Sequence, residues 1–381
     1  MIELANRLQT VEEYYFSKKL REVALLMSNG KPIINLGIGS PDLNPPQKVI
    51  EALTESFAHP KSNQYQSYQG LPEFREAIVA FYRDQYGVFM SPSTEVLPLT
   101  GSKEGIMHIS MAFLNPGDQA LIPNPGYPTY TSVTKLVGAE PIFYDLTEAS
   151  NWLIDFEALE EQDLSKVKIM WVNYPHMPTG TNGNDAFFTK LIAFAKRYNI
   201  LIINDNPYSF VLNRDPKSML QIPGAKDVCL ELNSLSKTFN MSGWRVGMVL
   251  GKSEYINAIL KVKSNMDSGM LFGIQKAAIQ AMSCSKLWYE SLNQTYEERR
   301  KRIWELADAL NCTYDKNTSG MFVWAKLPPF VKSEEFIDLL LKENNIFIAP
   351  GTIFGSNGEG YVRFSLCATT EIIEEAIARV Q

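Results

Sequence analysis

The chain has 381 residues, with 36 Lys plus Arg against 42 Asp plus Glu and a formal net charge of −6. Hydrophobic residues make up 45% and charged residues 20%, a balance typical of a globular protein with a large core and not of a disordered chain. The acidic balance argues against nucleic acid as the main partner, and no apolar run approaches the roughly 20 residues of a membrane-spanning helix.

Cysteine and histidine usage narrows the possible chemistry. The four cysteines are scattered and form no C-x-x-C pair, which is typical of thiols in a reducing compartment. The N-terminus is polar and lacks the apolar core of a signal peptide, so we predict a cytoplasmic protein. None of the three histidines is paired with another ligand at metal-binding spacing. We therefore predict no metal site and expect lysine, carboxylates or a cofactor to carry any chemistry.

Apolar strands alternate with helices through the first two thirds of the chain. Residues 1–30 have the spacing of a helical arm, and KPIINLGIGSPDLNPP predicts a strand that runs into a loop. The later predicted elements, in chain order, are helix LPEFREAIVAFYRDQYG, strand EVLPLT, helix GSKEGIMHISMAFLNPG, strand and turn QALIPNPGYPTY, strand KIMWVNYP, helix FFTKLIAFAKRYN, and strands ILIINDN, DVCLELNSLS and WRVGMVLG. This alternation predicts an α/β domain whose mostly parallel sheet lies between helices.

The pattern changes toward the C-terminus. Helical sequence extends from about residue 252 to residue 310, and the remaining segments MFVWAKL, SEEFIDLLLKENN, IFIAPG, YVRFSL and EIIEEAIARV predict a smaller α+β domain. We predict an N-terminal arm and part of the small domain in residues 1–40, a large domain in 41–275, and a small C-terminal domain in 276–381.

One segment carries the strongest functional signal. From Ser234 to Arg245 the sequence is SLSKTFNMSGWR, in which a lysine follows a predicted buried strand and is flanked by hydroxyl groups. Residues that follow the strands of an α/β sheet face its ligand crevice. The segment resembles the active-site motif of the class I/II aminotransferases, fold-type I enzymes that depend on pyridoxal 5′-phosphate, and the resemblance extends over nearly the whole chain in the right order.

The resemblance implies a cofactor site. Lys237 would form a Schiff base with pyridoxal phosphate, Asp205 would hold a proton on the pyridine nitrogen, and Tyr208 would hydrogen-bond the phenolic oxygen. These three are the expected catalytic residues, and Tyr127 is expected to stack on the cofactor ring. The residues expected at the phosphate are Gly101, Ser102, Lys103, Ser234, Ser236 and Arg245, of which the first three begin a predicted helix.

The resemblance also implies a substrate site and a homodimer. Arg363 in YVRFSL would bind the substrate's α-carboxylate as a bidentate fork, and the backbone of Gly39 would close on the same group. We expect the N-terminal segment, including Tyr14 and Tyr15, to line the side-chain pocket together with the partner subunit. Tyr65 lies five residues before Gly70. That spacing matches the family tyrosine that reaches the phosphate of the neighbouring subunit. It therefore favours Tyr65 over Tyr68 for this role.

One position departs from the family pattern. Met177 in HMPTG takes the place of an asparagine that donates to the cofactor's phenolic oxygen, and a thioether cannot donate a hydrogen bond. The loss of a bond to a charged group is worth roughly 1–3 kcal/mol. Tyr208 or a water molecule would be the compensating donor, while Asn173 is a family position that points elsewhere. Our hypothesis is that the Schiff-base pKa is raised relative to that of the usual enzyme.

The motifs together predict an aminotransferase that moves an amino group between an L-amino acid and a 2-oxo acid through pyridoxal phosphate. The sequences of these motifs are most similar to those of the branch of alanine, aspartate and diaminopimelate-type aminotransferases, and they do not identify the amino donor or the pathway. Two alternatives stay open at this point. One is a pyridoxal-phosphate-dependent C–S β-lyase on the same fold, and the other is a non-enzymatic protein that binds pyridoxal phosphate.

Overall fold

A computed structural model describes residues 2–381. Its α-helices are α1 Tyr15–Ser28, α2 Gln47–Ser56, α3 Pro72–Tyr86, α4 Ser102–Phe113, α5 Pro128–Leu136, α6 Phe156–Glu160, α7 Asp185–Tyr198, α8 Ser253–Lys263, α9 Phe272–Met282, α10 Lys286–Ala309, α11 Ser333–Asn344 and α12 Thr370–Val380. Its strands are β1 Ile34–Asn35, β2 Val96–Leu99, β3 Gln119–Asn124, β4 Glu140–Asp145, β5 Val167–Val172, β6 Leu201–Asp205, β7 Cys229–Ser234, β8 Gly247–Leu250, β9 Thr313–Tyr314, β10 Phe322–Lys326, β11 Ile346–Phe347, β12 Ala349–Pro350 and β13 Tyr361–Ser365. None of the helices within this range is long and apolar enough to cross a membrane.

A seven-stranded sheet forms the centre of the molecule. Its strand order is β2-β8-β7-β6-β5-β3-β4, in which only β8 runs against its neighbours. Consecutive residues of β5 and β6 alternate between two apolar cores, so that Met170 and Ile202 enter one core while Trp171 and Ile203 enter the other. Helices therefore cover both faces, as the continuous apolar strands predicted. The predicted α/β fold with a mostly parallel sheet is confirmed.

The sheet topology determines where polar side chains meet. Strands β5, β6 and β7 are parallel neighbours, so their carboxyl ends lie at one edge of the sheet. Asn173 follows β5, Asp205 ends β6, and Lys237 lies three residues beyond β7. These three residues, from segments far apart in sequence, are therefore brought to one crevice.

A second core lies beside this edge. Strands β12, β13, β10 and β9 form an antiparallel sheet in that order, and β1 pairs with β11 in parallel. Val23 of α1 and Leu36 after β1 are buried in the same apolar cluster as the C-terminal strands, so the arm packs with the C-terminal region. The predicted boundary after residue 275 falls inside α9, and α10 contributes to both cores. The exact domain division stays a prediction.

Candidate active site

A cavity of about 660 Å³ opens at the carboxyl edge of the central sheet, between the two regions. The large region contributes the ends of β6 and β7 and the start of α4, while the smaller one contributes β10 and β13. Helix α1 borders the cavity as well. The predicted site residues that line it are Tyr14, Gly39, Ser102, Lys103, Tyr127, Asp205, Tyr208, Ser234, Ser236, Lys237, Arg245 and Arg363.

Lys237 follows β7 and places its amine in the cavity at the carboxyl edge of the sheet. Its Nζ donates a hydrogen bond to the carbonyl oxygen of Gly39 at 2.5 Å. Burial, aided by the positive charges of Arg363 and Arg245 and opposed by Cys367, lowers the pKa of Lys237 to about 8. A lysine with such a pKa is a far better nucleophile at neutral pH than a surface lysine.

The start of α4 forms an anion cup next to Arg245. Gly101 has φ +85°, and a Cβ on this residue would lie 2.2 Å from Arg245 Nη2, so only glycine lets the guanidinium lie against this turn. A Cβ on Gly247 would lie 2.7 Å from the amide nitrogen of Ser102, which shows how closely β8 approaches the same turn. The free amides of a helix start and two nearby cations, Arg245 and Lys103, suit a phosphate.

Glu104 anchors this turn from behind. Its Oε2 accepts the backbone N–H of Thr100 at 2.7 Å, and its Oε1 lies 3.3 Å from Nε2 of the buried His108 one turn later. The sequence analysis did not identify Glu104 as a site residue. The carboxylate in the first turn of a helix is a common capping signal, and it could have been found on that ground.

Asp205 has one satisfied and one free carboxylate oxygen. Its Oδ2 accepts a hydrogen bond from the hydroxyl of Tyr130 at 2.8 Å, while Oδ1 is buried and has no partner within residues 2–381. Burial raises the pKa of Asp205 to about 7, and the Tyr130 bond opposes this shift. Asp205 lines the cavity, so its free oxygen suits a cationic N–H donor from a bound ring.

Tyr130 is a residue that the sequence analysis missed. It stacks on Trp171 with ring centroids 4.9 Å apart, and it meets Tyr127 edge-on at 5.5 Å. Tyr127 and Tyr130 lie three residues apart around the start of α5, a spacing that puts both on one face of a helix. That spacing in NPGYPTY was the available signal.

Arg363 occupies an apolar setting at the other end of the cavity. It is 4% exposed, and its Nη2 donates to the carbonyl of Gly37 at 2.8 Å while Nε has no partner in the described chain. The guanidinium carbon lies 3.8 Å from the ring centroid of Phe322 and 4.7 Å from that of Phe354. Burial lowers the pKa of Arg363 to about 10. A carboxylate would supply the acceptors that this buried cation lacks.

Gly39 and Tyr208 complete this end. A Cβ on Gly39 would lie 2.3 Å from Cζ of Phe322, so only glycine lets the backbone approach this ring. Tyr208 meets the same ring edge-on at 5.8 Å. Burial raises the pKa of Tyr208, and the charge of Arg363 opposes that shift. The Tyr208 hydroxyl is therefore neutral and able to donate a hydrogen bond at any physiological pH.

Met177 lies next to Arg363, with its sulfur 3.3 Å from Nη1. The backbone N–H of Met177 donates to Oδ1 of Asn173 at 2.7 Å, and the Asn173 amide donates to the backbone carbonyl of Asp205. Asn173 thus uses its oxygen and one of its two amide hydrogens on backbone groups. It lines the cavity, but its polar atoms hold the loop and the strand end together.

The two tyrosines of the arm lie in different places. Tyr14 lines the cavity, and Lys103 Nζ lies 4.4 Å from its ring centroid. Tyr15 does not belong to the cavity wall, and burial together with the charges of Glu334 and Asp338 raises its pKa. The structure therefore places Tyr14 on the cavity wall and Tyr15 outside it, and the role of Tyr14 at the substrate side chain stays a prediction.

Tyr65 lies outside the cavity and is 91% exposed. The same chain therefore does not use Tyr65 at its own site. This exposure is compatible with the expected role at a neighbouring subunit, which stays a prediction.

Three features of the cavity fit pyridoxal phosphate. The free oxygen of Asp205 matches a protonated ring nitrogen, the cup at Ser102 with Arg245 matches a phosphate, and the amine of Lys237 matches an aldehyde. Tyr127 borders the space between these groups, as an aromatic that stacks on the ring must do.

Comparison with known proteins agrees with this geometry. The sequence model of the family described as aminotransferase class I and II matches residues 31–380. An LL-diaminopimelate aminotransferase from Aquifex aeolicus is 39% identical over 383 residues, which cover 100% of this chain and 99% of the relative. The substrate-bound structure of BacF from Bacillus subtilis is 37% identical, with a TM-score of 0.96 over 100% of this chain and 97% of that one.

A second solved structure, an aminotransferase from Staphylococcus aureus, is 32% identical with a TM-score of 0.90 over 99% of this chain and 98% of that one. No comparison favours the β-lyase or the non-enzymatic alternative over amino-group transfer. The predicted family, activity and cofactor are confirmed, and the chain belongs to the class I and II aminotransferases, which are pyridoxal-phosphate-dependent enzymes.

Proposed function

We propose that Lys237, Asp205 and Tyr208 carry out amino-group transfer between an L-amino acid and a 2-oxo acid in this cavity. The observation that carries the proposal is the position of the Lys237 amine. It lies in one cavity with the free oxygen of Asp205 and the desolvated guanidinium of Arg363. A cofactor ring held by Asp205 and a carboxylate held by Arg363 would both lie within reach of that amine.

Each residue has a distinct role in the proposal. Bound pyridoxal phosphate supplies an aldehyde for amines and a ring that accepts electron density from the substrate's α-carbon. Lys237 would hold the cofactor covalently, and its amine, once released by the incoming amino acid, would take the proton from the substrate's α-carbon and pass it to the cofactor's former aldehyde carbon. Asp205 keeps the ring nitrogen protonated, and the Tyr208 hydroxyl donates to the phenolic oxygen. Arg363 orients the α-carboxylate, and the phenyl rings around it exclude water.

The visible spectrum of the purified holoenzyme tests the function. We expect an L-amino acid to convert the bound cofactor to its amine form and a 2-oxo acid to reverse the change. Lys237→Ala should lower the rate of this conversion at least ~1,000-fold, because nucleophile and proton carrier are lost together. The exposed Lys301 gives the control Lys301→Ala, which should behave as the wild type. Release of pyruvate and ammonia from a cysteine conjugate, without reversible conversion, would favour the β-lyase.

We also propose a homodimer in which Tyr65 reaches the phosphate at the partner's site. The support is the nearly full exposure of this tyrosine and the spacing of Tyr65 to Gly70. Hybrid dimers of Lys237→Ala with Tyr65→Phe subunits provide the test. If the sites are shared, one site of each hybrid is intact, so a hybrid dimer should have about half of the wild-type activity and a randomly reassociated 1:1 mixture about a quarter. A protein that sediments as a monomer, or a hybrid without restored activity, would contradict the proposal.

A cytoplasmic location is proposed on the thiol chemistry. All four cysteines are free, including the buried Cys229 and Cys312, as expected in a reducing compartment. Fractionation of cells with antibodies against the protein is the direct measurement.

A further inference from the structure

Under the proposed function, every charged side chain of the cavity binds either the cofactor or the α-amino and α-carboxylate groups that all amino acids share. The charged side chains that line it are Lys103, Asp205, Lys237, Arg245 and Arg363. Under the proposed function Lys103 and Arg245 balance the phosphate, Asp205 the ring nitrogen, and Arg363 the α-carboxylate. Asp205 is the only carboxylate on the wall formed by residues 2–381, so this chain leaves no acid for a second ammonium group.

The space beside Arg363 is bounded by apolar side chains. The rings of Phe16, Phe322 and Phe354 lie near the Arg363 guanidinium, and Leu20, Ile38 and the neutral Ser17 belong to the same cavity wall. An aromatic face can hold an ammonium by a cation–π contact. Here the faces near the site are taken, because the Arg363 guanidinium lies against Phe322 and Phe354, and Lys103 lies over Tyr14.

The nearest acid on the arm is engaged as well. Glu13 accepts a hydrogen bond from Ser17 at 2.6 Å, but it also forms a two-point ion pair with Arg21 at 2.5 and 2.7 Å. Side-chain bonds from Arg21 and Ser17 lower the pKa of Glu13 to about 2. The charge of Glu13 is therefore balanced outside the cavity wall.

The segment expected from the partner subunit adds no acid either. Around Tyr65 the sequence is PKSNQYQSYQGLP, from Pro60 to Pro72, and it contains no aspartate or glutamate. A copy of this segment at the neighbouring site would bring neutral tyrosine, glutamine, serine and asparagine side chains and one cation, Lys61.

We propose that the side-chain pocket accepts neutral apolar or aromatic L-amino acids, of the phenylalanine, methionine and leucine class, and rejects a substrate with a distal ammonium group. The inference rests on the proposed function and defines its substrate class. An ammonium that enters this pocket loses its hydration and finds no counter-charge, which is costly. LL-diaminopimelate, the compound in the name of the Aquifex relative, carries such a group together with a distal carboxylate, and the apolar wall offers a partner to neither charge.

Single-turnover conversion of the holoenzyme's cofactor by L-phenylalanine, L-methionine, L-leucine, L-lysine and LL-diaminopimelate tests this proposal. We expect the rate constant per molar of the best neutral apolar amino acid to exceed that of both substrates with a distal ammonium group, L-lysine and LL-diaminopimelate, by on the order of 100-fold. Equal or faster conversion by LL-diaminopimelate would overturn the substrate class and leave the function standing. If no amino acid converts the cofactor, the proposed function itself fails and the substrate class falls with it.

A pair of variants isolates the charge effect. Leu20→Glu places a carboxylate on the cavity wall, and we expect it to raise the rate for L-lysine relative to L-methionine at least ~10-fold. Leu20→Gln has the same size without the charge and should leave this ratio near that of the wild type. An unchanged ratio in Leu20→Glu, with correct folding shown by circular dichroism, would contradict the proposal.

A binding measurement gives a readout that needs no turnover. Amino acids with a methyl group on the α-carbon have no α-proton to transfer, so they bind without completing the reaction. In calorimetric titrations of the holoenzyme we expect α-methyl-L-phenylalanine to bind at least ~10-fold more tightly than α-methyl-L-lysine. Tighter binding of the lysine analogue would overturn the proposal.

Discussion

The two ends of the cavity have contrasting electrostatic environments. At the cofactor end, Ser102 at a helix start, the nearby cation of Arg245 and the half-satisfied carboxylate of Asp205 lie around the edge of a parallel sheet. At the substrate end, Arg363 is surrounded by phenyl rings and has a single carbonyl and a thioether as polar neighbours. The cofactor end has charged groups that balance the charges of a permanently bound cofactor. At the substrate end, Arg363 has few hydrogen-bond acceptors of its own, so it can bind the carboxylate of each substrate in turn.

Asp205 gives the largest expected effect at the cofactor end. Asp205→Asn removes the charge that keeps the ring nitrogen protonated, and we expect kcat to fall roughly 100- to 1,000-fold. Steady-state rates with a saturating amino acid and oxo acid measure the loss. Asparagine keeps an oxygen that can accept the hydrogen bond from Tyr130, so this substitution tests the charge alone. Tyr130→Phe removes the hydrogen bond and keeps the charge, and we expect it to lower kcat less. A kcat within threefold of the wild type would show that Asp205 is not the partner of the ring nitrogen.

Asp205→Asn should stabilise the cofactor-free protein, although it lowers kcat of the holoenzyme. The pKa of Asp205 in the folded state, about 7, lies above its usual value of 3.8. The native state therefore binds more protons than the unfolded state between about pH 4 and pH 7, so stability falls as the pH rises through this window. We expect Asp205→Asn to remove that decline and to raise the Tm of the cofactor-free protein at pH 8. Parallel pH profiles of Tm in both proteins would contradict this.

Arg363 gives the next largest effect and tests the substrate end. Lysine keeps the charge but cannot form the two-point contact of a guanidinium with a carboxylate. We expect Arg363→Lys to raise KM for the amino acid about 10- to 100-fold, with a smaller change in the affinity for pyridoxal phosphate. The exposed Arg302 gives the control Arg302→Lys, which should have the wild-type KM. If Arg363→Lys lowers only the affinity for pyridoxal phosphate, Arg363 contacts the cofactor and not the substrate's carboxylate, which would contradict this prediction.

The two ends also differ in how far the sequence reveals them. The cofactor end consists of short contiguous motifs after strands or at a helix start, such as Ser234 to Lys237, so its residues were predicted by number. The substrate end is assembled from α1, β10, the segment after β12 and β13, which meet only through tertiary packing. Arg363 was predicted there, but Phe322 and Phe354 were not, because a phenylalanine in an apolar strand looks like any core residue.

Local strand and helix patterns predicted most elements but not all of them. Helices α2, α5 and α6 and strands β4 and β9 have no counterpart among the predicted elements; α5 begins where QALIPNPGYPTY was predicted to end in a turn. The helical stretch after residue 252 is divided into α8, α9 and α10. Strand β4 is the sheet's edge strand and is only partly buried, so it lacks a continuous apolar run. The division of the helical stretch depends on packing of α9 against α2 and α3, which periodicity along one segment does not encode.

The smallest expected effect lies where the two ends meet, at Met177. Its sulfur is next to Arg363, and its neighbour Asn173 uses its oxygen and one amide hydrogen on backbone atoms, so the Met177 side chain offers no donor to the cofactor's phenolic oxygen. Met177→Asn restores a donor, which stabilises negative charge on that oxygen and weakens its hold on the neighbouring proton. We expect the midpoint of the spectrophotometric pH titration of the bound cofactor to fall by about 1 unit. Met177→Leu, which has similar size and no donor, should keep the wild-type midpoint. The same midpoint in all three proteins would mean that Tyr208 already supplies the stabilisation, and that Met177 acts on the packing of Arg363 alone.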